Sequence, residues 1–517
     1  MNLPTAGRSG RVPSDHNKKF YTDETGVCMS SWNWEIENKD YLDKSITRCK
    51  KQEIILPTFK QLKNPETIPD QIKSRLKNID MQEVHPLNLF RINWKNDTNT
   101  GEIGEINYLE IPKEITGVNA RIVGLVGKFF PTGAHKVGAT YGCLAPYLVT
   151  GKFNPDYHKA VWPSTGNYCR GGTFNSALLG VHPVAILPEE MSKERFEWLE
   201  KLGAEVYATP GCESNVKEIY DKCHELEAES DEYLIFNQFD QFGNSVWHYE
   251  ITGSTIETLF NDIRSGKQRL SAYVSATGSA GTIAAGDYLR TINPSIKVLA
   301  TEALQCPTLL MNGYGGHRIE GIGDKHIPWI HNVKNTDAVA AIDDEDTLRI
   351  LRLFNEDAGK EVLEENGLNE EVIEKLSYLG ISSACNLLAS IKLAKYFELN
   401  ENDVIFTIFT DSVELYYSRL KEMNENWGKY NKTQALIDWN AVIKKQGIDH
   451  LKELSYYDKK RIHNLKYFTW VEQQGKDVAE LDAQWYDENY WNERFSITPH
   501  WDELIKKFND KVGITTE

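Results

Sequence analysis

The stretch P-T-G-A-H-K-V-G-A-T at residues 131–140 places Lys136 directly after a Pro/Gly turn, at the mouth of a predicted helix. A lysine at this place lies close to the positive end of the helix dipole, which favours the neutral amine form of its side chain. A neutral amine is the form that attacks an aldehyde to make a Schiff base. A surface lysine at a helix start is the ordinary alternative, so the surrounding sequence has to decide between the two.

Short apolar runs alternate with helical patterns from about residue 106 to 420. The apolar runs lie at 160–162, 184–187, 272–274, 298–300 and 404–408, and helical patterns include 193–202, 215–229 and 343–365. Buried strands that alternate with helices predict a parallel sheet covered by helices on both faces. In such sheets a ligand binds at the carboxyl ends of the strands, in the loops that lead into helices.

Two loops in this central part carry residue types that suit an anionic ligand, and a third segment carries two serines at a predicted helix start. The two loops read P-S-T-G-N-Y at residues 163–168 and T-G-S-A-G-T at residues 277–282, and the third segment reads G-I-S-S-A-C at residues 380–385. Hydroxyls and amides in the first loop can donate to a carboxylate or phenolate oxygen, and small residues between a strand and a helix in the second let backbone N–H groups close on a phosphate. Ordinary strand-to-helix turns are the alternative for the two loops, and a serine cap of a helix is the alternative for the third segment.

The two ends of the chain differ from the central part. Residues 1–105 are polar and irregular and predict short helices and loops, whereas residues 421–517 are aromatic and highly charged and predict a helical extension. We expect this extension to be a packing element or a dimer contact, with a lid over the substrate as the alternative. Within the core, a smaller subdomain is predicted at about 145–255.

Composition and charge argue against several classes of binding partner. The chain has 517 residues and a formal net charge of -17, which argues against a general nucleic-acid binder. No apolar stretch of membrane-spanning length and no secretory signal is found, and none of the 8 cysteines forms a C-x-x-C pair. These features predict a cytoplasmic protein with reduced thiols that binds neither nucleic acid nor membrane. No cluster of side chains has metal-ligand spacing, so no metal is predicted.

Taken together and in order, the motifs resemble those of the cysteine synthase, cystathionine β-synthase and tryptophan synthase β family. The T-G-A-H-K string resembles the cofactor-lysine motif of tryptophan synthase β, and the two loops and the third segment resemble the T-S-G-N-T, G-T-G-G-T and G-I-S-S-G segments of cysteine synthases. Residues 317–328 are similar to the H-K-I-Q-G-I-G segment of the same enzymes. The resemblance implies an α/β, two-subdomain, fold-type II pyridoxal-phosphate enzyme with parallel sheets flanked by helices, plus the helical C-terminal extension.

The resemblance also implies roles for individual residues. Lys136 would hold the cofactor and carry the α-proton, and a serine hydroxyl facing the pyridine nitrogen would leave that nitrogen neutral and favour loss of a β-substituent. The implied cofactor-binding residues are Lys136, Asn167, Gly278, Ser279, Ala280, Gly281, Thr282 and Ser382, with Ser383 close behind Ser382, and the implied substrate-binding residues are Ser164, Thr165, Gly166 and Gln238.

The implied activity is β-elimination or β-replacement on serine, an activated serine or cysteine, through an aminoacrylate intermediate. The implied partners are a small amino-acid substrate and a second copy of the chain in a homodimer. Tyr168 replaces the last threonine of the cysteine synthase loop, and Cys169 is expected to be a buried structural thiol. A serine/threonine dehydratase on the same fold is the alternative function, and a scaffold that keeps the fold without the chemistry is the second alternative.

Overall fold

The computed structural model describes residues 21–22, 28–29, 35–164, 166–191, 193–211, 215–323 and 325–514. Its strands are β1 (Tyr21–Thr22), β2 (Cys28–Met29), β3 (Tyr108–Ile111), β4 (Arg121–Val126), β5 (Lys159–Pro163), β6 (His182–Pro188), β7 (Glu205–Thr209), β8 (Tyr233–Ile235), β9 (Arg269–Ala276), β10 (Lys297–Ala303), β11 (Ala338–Ile342), β12 (Asp403–Phe409) and β13 (Leu451–Glu453).

The helices fall between and after these strands. The first eleven are α1 (Lys39–Lys51), α2 (Phe59–Lys63), α3 (Asp70–Leu76), α4 (Lys113–Thr116), α5 (Lys136–Val149), α6 (Asn167–Leu178), α7 (Lys193–Lys201), α8 (Val216–Glu229), α9 (Phe242–Trp247), α10 (Ser254–Ile263) and α11 (Ala284–Ile292). The rest are α12 (Thr308–Met311), α13 (Asp344–Asn355), α14 (Asp357–Glu365), α15 (Glu370–Lys375), α16 (Ile381–Tyr396), α17 (Tyr417–Trp427), α18 (Lys432–Asp438), α19 (Tyr456–Asn464), α20 (Val478–Tyr486), α21 (Tyr490–Phe495) and α22 (Thr498–Val512).

Two sheets carry the core. The larger has seven strands in the order β13-β11-β10-β9-β12-β4-β3, parallel except for its two edge strands, β3 and β13. The smaller has four parallel strands in the order β7-β6-β5-β8 and lies within the predicted smaller subdomain. All seven residues of β12 are buried, as is expected of a strand covered on both faces. The predicted α/β architecture is therefore confirmed.

The sheets place the predicted ligand loops together. The loop after β5 leads into α6, the loop after β9 leads towards α11, and α5 begins at Lys136. Since the carboxyl ends of parallel strands are where such loops gather, this arrangement brings distant stretches of sequence to one place. The five apolar runs identified in the sequence all fall on strands of the two sheets.

Two details differ from the sequence prediction. The helical pattern at 343–365 is two helices, α13 and α14, separated at Glu356, whose backbone is extended (φ −92°, ψ 147°). The C-terminal extension is mainly helical, yet it also supplies β13, which pairs with β11 and forms an edge of the larger sheet. Periodicity could not show this strand, because it has three residues and no buried face.

Within the described ranges, no single helix has both the length and the apolar character needed to cross a membrane. One pair, Glu370–Tyr378 with Ile381–Tyr396, reaches that length and character together, but it bends by 113°.

Candidate active site

Two adjoining cavities lie where the predicted loops meet. The first has a volume of about 360 Å³ and is lined by Lys136, Ser164, Asn167, Tyr168, Gln238, Phe239, Gly278, Ser279, Gly321, Ile322 and Thr410. The second has a volume of about 330 Å³ and is lined by His135, Lys136, Ala276, Gly278, Ser279, Ala280, Thr282, Gly321, Ile322, Asn386, Ile408 and Thr410. Lys136 lines both, so it lies at their junction.

Lys136 is the first residue of α5, and its side chain is buried. Its Nζ atom donates to Ser279 Oγ at 2.8 Å and to Gln238 Oε1 at 3.5 Å. The amine therefore contacts the turn that was predicted to bind phosphate, although 143 residues separate the two in sequence.

Asn244, a residue that the sequence did not single out, contacts the turn at 278–282. Asn244 Nδ2 donates to Ser279 Oγ at 3.0 Å and to the carbonyl oxygen of Gln238 at 2.9 Å. A Cβ atom at Gly281 would overlap the Asn244 side chain, so this position has no room for a larger residue. Asn244 therefore joins the turn to the loop that carries Gln238, a role that only the folded chain reveals.

The loop after β5 forms the opposite wall of the first cavity. Ser164 Oγ accepts hydrogen bonds from Gln238 Nε2 and from the backbone N–H of Gly166, each at 3.2 Å. Gly166 has φ of 156°, and a Cβ atom there would overlap the Arg195 guanidinium. Thr165, predicted to bind substrate, lies outside the described residues.

Asn167 begins α6 and lines the first cavity, as predicted for a cofactor-binding residue. Its Nδ2 atom donates to Asp411 Oδ2 at 2.6 Å, and Tyr416 OH donates to the same oxygen at 2.8 Å. Asp411 and Tyr416 follow β12 and were not identified from the sequence. No local motif marks them, because their role depends on a contact across 244 residues.

The structure does not bring Ser382 to either cavity wall. Ser382 is buried near the start of α16, and Ser383 Oγ donates to the Asp411 carbonyl oxygen at 3.4 Å. The neighbouring polar residues that do line the second cavity are Asn386 and Thr410. A ring-facing role for Ser382 thus stays a prediction, without a cavity contact behind it.

Three buried polar atoms around the cavities have no hydrogen-bond partner among the described residues: His135 Nδ1, Asn167 Oδ1 and Asn386 Oδ1. All three residues line a cavity, so a polar ligand bound there would meet these atoms. Burial and the adjacent Lys136 lower the pKa of His135 well below its usual value, which leaves a neutral imidazole. An amine, a small-residue turn and an amide around one space fit pyridoxal phosphate.

Cys169 does not behave as a reactive thiol. Burial raises its pKa to about 12, and its Sγ donates to the carbonyl oxygen of Gly166. Tyr168 lines the first cavity, and its hydroxyl donates to Cys143 Sγ at 3.5 Å. Both side chains therefore shape the loop. Among the described residues, no group of three or more His, Cys, Asp or Glu side chains could hold a metal ion.

Comparison with known proteins gives matches over the central part of the chain. The probable cysteine synthase of Bacillus subtilis is 30% identical over 302 residues, which cover 58% of this chain and 89% of that protein. Cystathionine beta-synthase of Saccharomyces cerevisiae is 26% identical over 331 residues, covering 62% of this chain and 61% of the yeast protein. The cysteine synthase-like enzyme class predicted from the motifs is confirmed by these relatives.

Solved structures share the fold. A cysteine synthase from Entamoeba histolytica superposes with a TM-score of 0.54 at 21% identity, covering 65% of this chain and 92% of that one. A hydrogen sulfide-producing enzyme from Fusobacterium nucleatum gives 0.52 at 22% identity, covering 63% and 98%. The family model described as "Pyridoxal-phosphate dependent enzyme" matches residues 128–411, a span that begins just before Lys136 and ends at Asp411. The chain belongs to this family, and pyridoxal phosphate is its cofactor.

Proposed function

We propose that the protein catalyses β-elimination or β-replacement on a serine- or cysteine-type amino acid. The observation that carries the proposal is the position of Lys136 Nζ, which lies 2.8 Å from Ser279 Oγ in the small-residue turn. The amine thereby lies beside a turn of small residues and borders a cavity. This is the arrangement that a covalently held aldehyde cofactor requires.

Three groups of residues would hold the cofactor. Lys136 would bind its aldehyde carbon, the turn at 278–282 its phosphate, and Asn167 its ring oxygen. When bound, pyridoxal phosphate supplies a ring that withdraws electrons from the α-carbon of an amino acid. The turn suits a phosphate because successive small residues let backbone N–H groups approach one anion closely.

The substrate carboxylate would lie between Ser164 and Gln238. These side chains already contact each other at 3.2 Å, across the wall of the first cavity. Both carry donors that can turn towards a carboxylate, as can the N–H of Gly166. Gln238 also lies 3.5 Å from Lys136 Nζ, so a carboxylate held here keeps the α-carbon near the amine.

Lys136 Nζ would then act as the base that removes the α-proton and the acid that returns it. A hydroxyl oxygen of Ser279 and an amide oxygen of Gln238 contact this amine. Because the site is buried, proton transfer takes place with little competition from bulk water. Loss of the β-substituent follows, and either a nucleophile adds or the product is hydrolysed to an oxo acid and ammonia.

We also propose that the protein works in the cytoplasm as a homodimer. Six buried cysteines of the described ranges are thiols, which suits a reducing compartment. Sedimentation of the purified protein at several concentrations would test the dimer, and a single monomeric species at all concentrations would contradict it.

The reaction can be tested with the purified protein supplied with pyridoxal phosphate. Borohydride reduction followed by peptide mapping is expected to place the cofactor on Lys136. Serine, threonine, O-acetylserine and cysteine are then offered with and without sulfide. Release of pyruvate and ammonia would identify elimination, and incorporation of sulfide into cysteine would identify replacement. Threonine or serine deamination alone would favour the dehydratase, and no turnover of any of these would refute the proposal.

A further inference from the structure

A buried carboxylate sets the orientation of the amide that faces the first cavity. Asp411 Oδ2 accepts one hydrogen bond from Asn167 Nδ2 at 2.6 Å and a second from Tyr416 OH at 2.8 Å. All three side chains are buried. Because Asp411 Oδ2 accepts this hydrogen bond, the nitrogen end of the Asn167 amide faces Asp411.

This contact fixes more than one atom of Asn167. The amide group is planar, so once one N–H points at Asp411, the directions of the second N–H and of Oδ1 are determined as well. The terminal torsion of asparagine is otherwise broad, and either end of the amide could face a ligand. The contact with Asp411 therefore determines which end of the Asn167 amide faces the cavity before any ligand binds.

The choice matters for a ligand with an anionic oxygen. A donated N–H stabilises a phenolate oxygen, whereas the carbonyl end of the amide would repel it. We infer that Asp411 is a positioning residue, which holds Asn167 so that an N–H is available to the ring oxygen of bound pyridoxal phosphate. The inference rests on the proposed function, since it concerns the same cofactor.

Charged residues lie around Tyr416, the second donor to Asp411. Arg195 Nη2 lies 3.0 Å from Glu320 Oε2 and 3.4 Å from Tyr416 OH, and Arg419 Nε donates to Glu320 Oε1 at 2.7 Å. Burial and the negative charge of Glu320 raise the pKa of Asp411, whereas the hydrogen bonds from Asn167 and Tyr416 and the charge of Arg195 act in the opposite direction.

The same network joins the two sheets. Asn167 and Arg195 belong to helices α6 and α7, which follow strands of the smaller sheet. Asp411 and Tyr416 follow β12 of the larger sheet. The amide that faces the cavity is thus oriented by a residue from the opposite side of the site.

The test is the visible spectrum of the cofactor-loaded protein, with Asp411→Asn as the main variant. The long-wavelength band of the bound cofactor requires an ionised ring oxygen. The introduced amide would offer an N–H to Asn167 Oδ1 and allow the Asn167 amide to turn over, so we expect this band to lose intensity to the short-wavelength band. We also expect the dissociation constant for pyridoxal phosphate to rise about tenfold, the equivalent of one charge-assisted hydrogen bond.

Asp403→Asn is the matched control. Asp403 is as buried as Asp411 and accepts a hydrogen bond from Arg269. It is the first residue of β12, the strand that Asp411 follows. We expect its spectrum and cofactor affinity to equal those of the wild type. A general loss of packing would affect both variants, whereas the positioning role predicts a spectral change in Asp411→Asn alone.

Tyr416→Phe gives a second route if Asp411→Asn does not fold. It removes one of the two donors to Asp411, and we expect the same spectral shift with a smaller, roughly threefold loss of affinity. An unchanged band ratio in the variant that folds would overturn the positioning role. A wild-type protein that takes up no pyridoxal phosphate would instead refute the proposed function, and the inference with it.

Discussion

Two buried lysines, one in the catalytic core and one in the C-terminal extension, show what separates the two regions. Lys136 Nζ contacts side-chain oxygens of Ser279 and Gln238 at the junction of two cavities. Lys466 Nζ donates to the carbonyl oxygens of Trp329 and His331 and to Gln484 Oε1, at 2.6 to 2.9 Å. The first amine has space beside it, and the second has backbone acceptors around it.

A buried lysine can therefore serve either the chemistry of a site or the stability of the fold. Burial lowers the pKa of Lys466 well below its usual value, yet its three short hydrogen bonds leave the amine no freedom to react. Lys136 instead lies at the junction of two cavities that a ligand can enter. A buried amine that borders a cavity can take part in chemistry, whereas one enclosed by backbone acceptors stabilises the fold.

Among the substitutions that test this difference, Lys136→Met is expected to have the largest effect. Loss of both the covalent anchor and the proton carrier should lower kcat/KM by at least ~10³-fold. Stability should change little, because methionine has a similar length and no charge to desolvate at this buried position. Steady-state kinetics and a thermal melt of the same preparation check both parts. Substantial residual turnover would contradict the assignment of Lys136.

The matching change in the extension, Lys466→Met, should act on stability instead. Three buried acceptors lose their donor, and we expect the free energy of unfolding to fall by about 3 kcal/mol. The folded fraction should keep its activity. Urea unfolding followed by tryptophan fluorescence measures the loss.

Lys507→Met serves as the control for that variant. Its side chain is 71% exposed, and its stability should change by less than ~0.5 kcal/mol. Equal losses in the two variants would show that the buried hydrogen bonds of Lys466 do not anchor the extension.

The sequence predicted the parts of the site that are contiguous in the chain. The lysine motif, the loop around Asn167 and the turn at 278–282 each read as a unit, because small residues and turns leave a local pattern. The strands of the core followed from apolar runs for the same reason. Both the family and the cofactor could therefore be predicted before any coordinates were known.

The remainder depends on contacts between distant segments. Asn244 and Asp411 each orient a cavity residue, yet neither lies in a motif that the sequence marks. Ser382 follows from a local string and its ring-facing role stays a prediction, whereas the wall of the second cavity contains Asn386, one turn further along the same helix. A helix start predicts where a chain turns, but which side chain faces a ligand is decided by tertiary packing.

A third prediction concerns Asp287, a carboxylate on α11 at the edge of the core. Burial raises the pKa of Asp287 to about 7, although Asn332 Nδ2 donates to it. Since the folded pKa is higher than the unfolded one, the stability contribution is present below the unfolded pKa and is lost as pH rises through about 7. Between pH 5 and 8 the wild type should lose about 2 kcal/mol, and Asp287→Asn should lose much less.

Urea midpoints at four pH values across this range would measure the difference between the two proteins. If they lose stability in parallel, the titration belongs to another group, and Asp287 does not control this pH dependence.

The smallest expected effect lies where the extension meets the N-terminal part of the chain. Asn509, on α22, donates to the Leu56 carbonyl oxygen at 2.8 Å and accepts from the Leu56 N–H at 3.1 Å. Asn509→Ala should lower the free energy of unfolding by about 1 kcal/mol, because two backbone groups lose their partner. Asn440→Ala is the control, since that exposed side chain donates to the Leu436 carbonyl oxygen one turn earlier. A loss confined to Asn509→Ala, with kcat/KM unchanged, would show that this contact anchors the extension without contributing to the chemistry of the core.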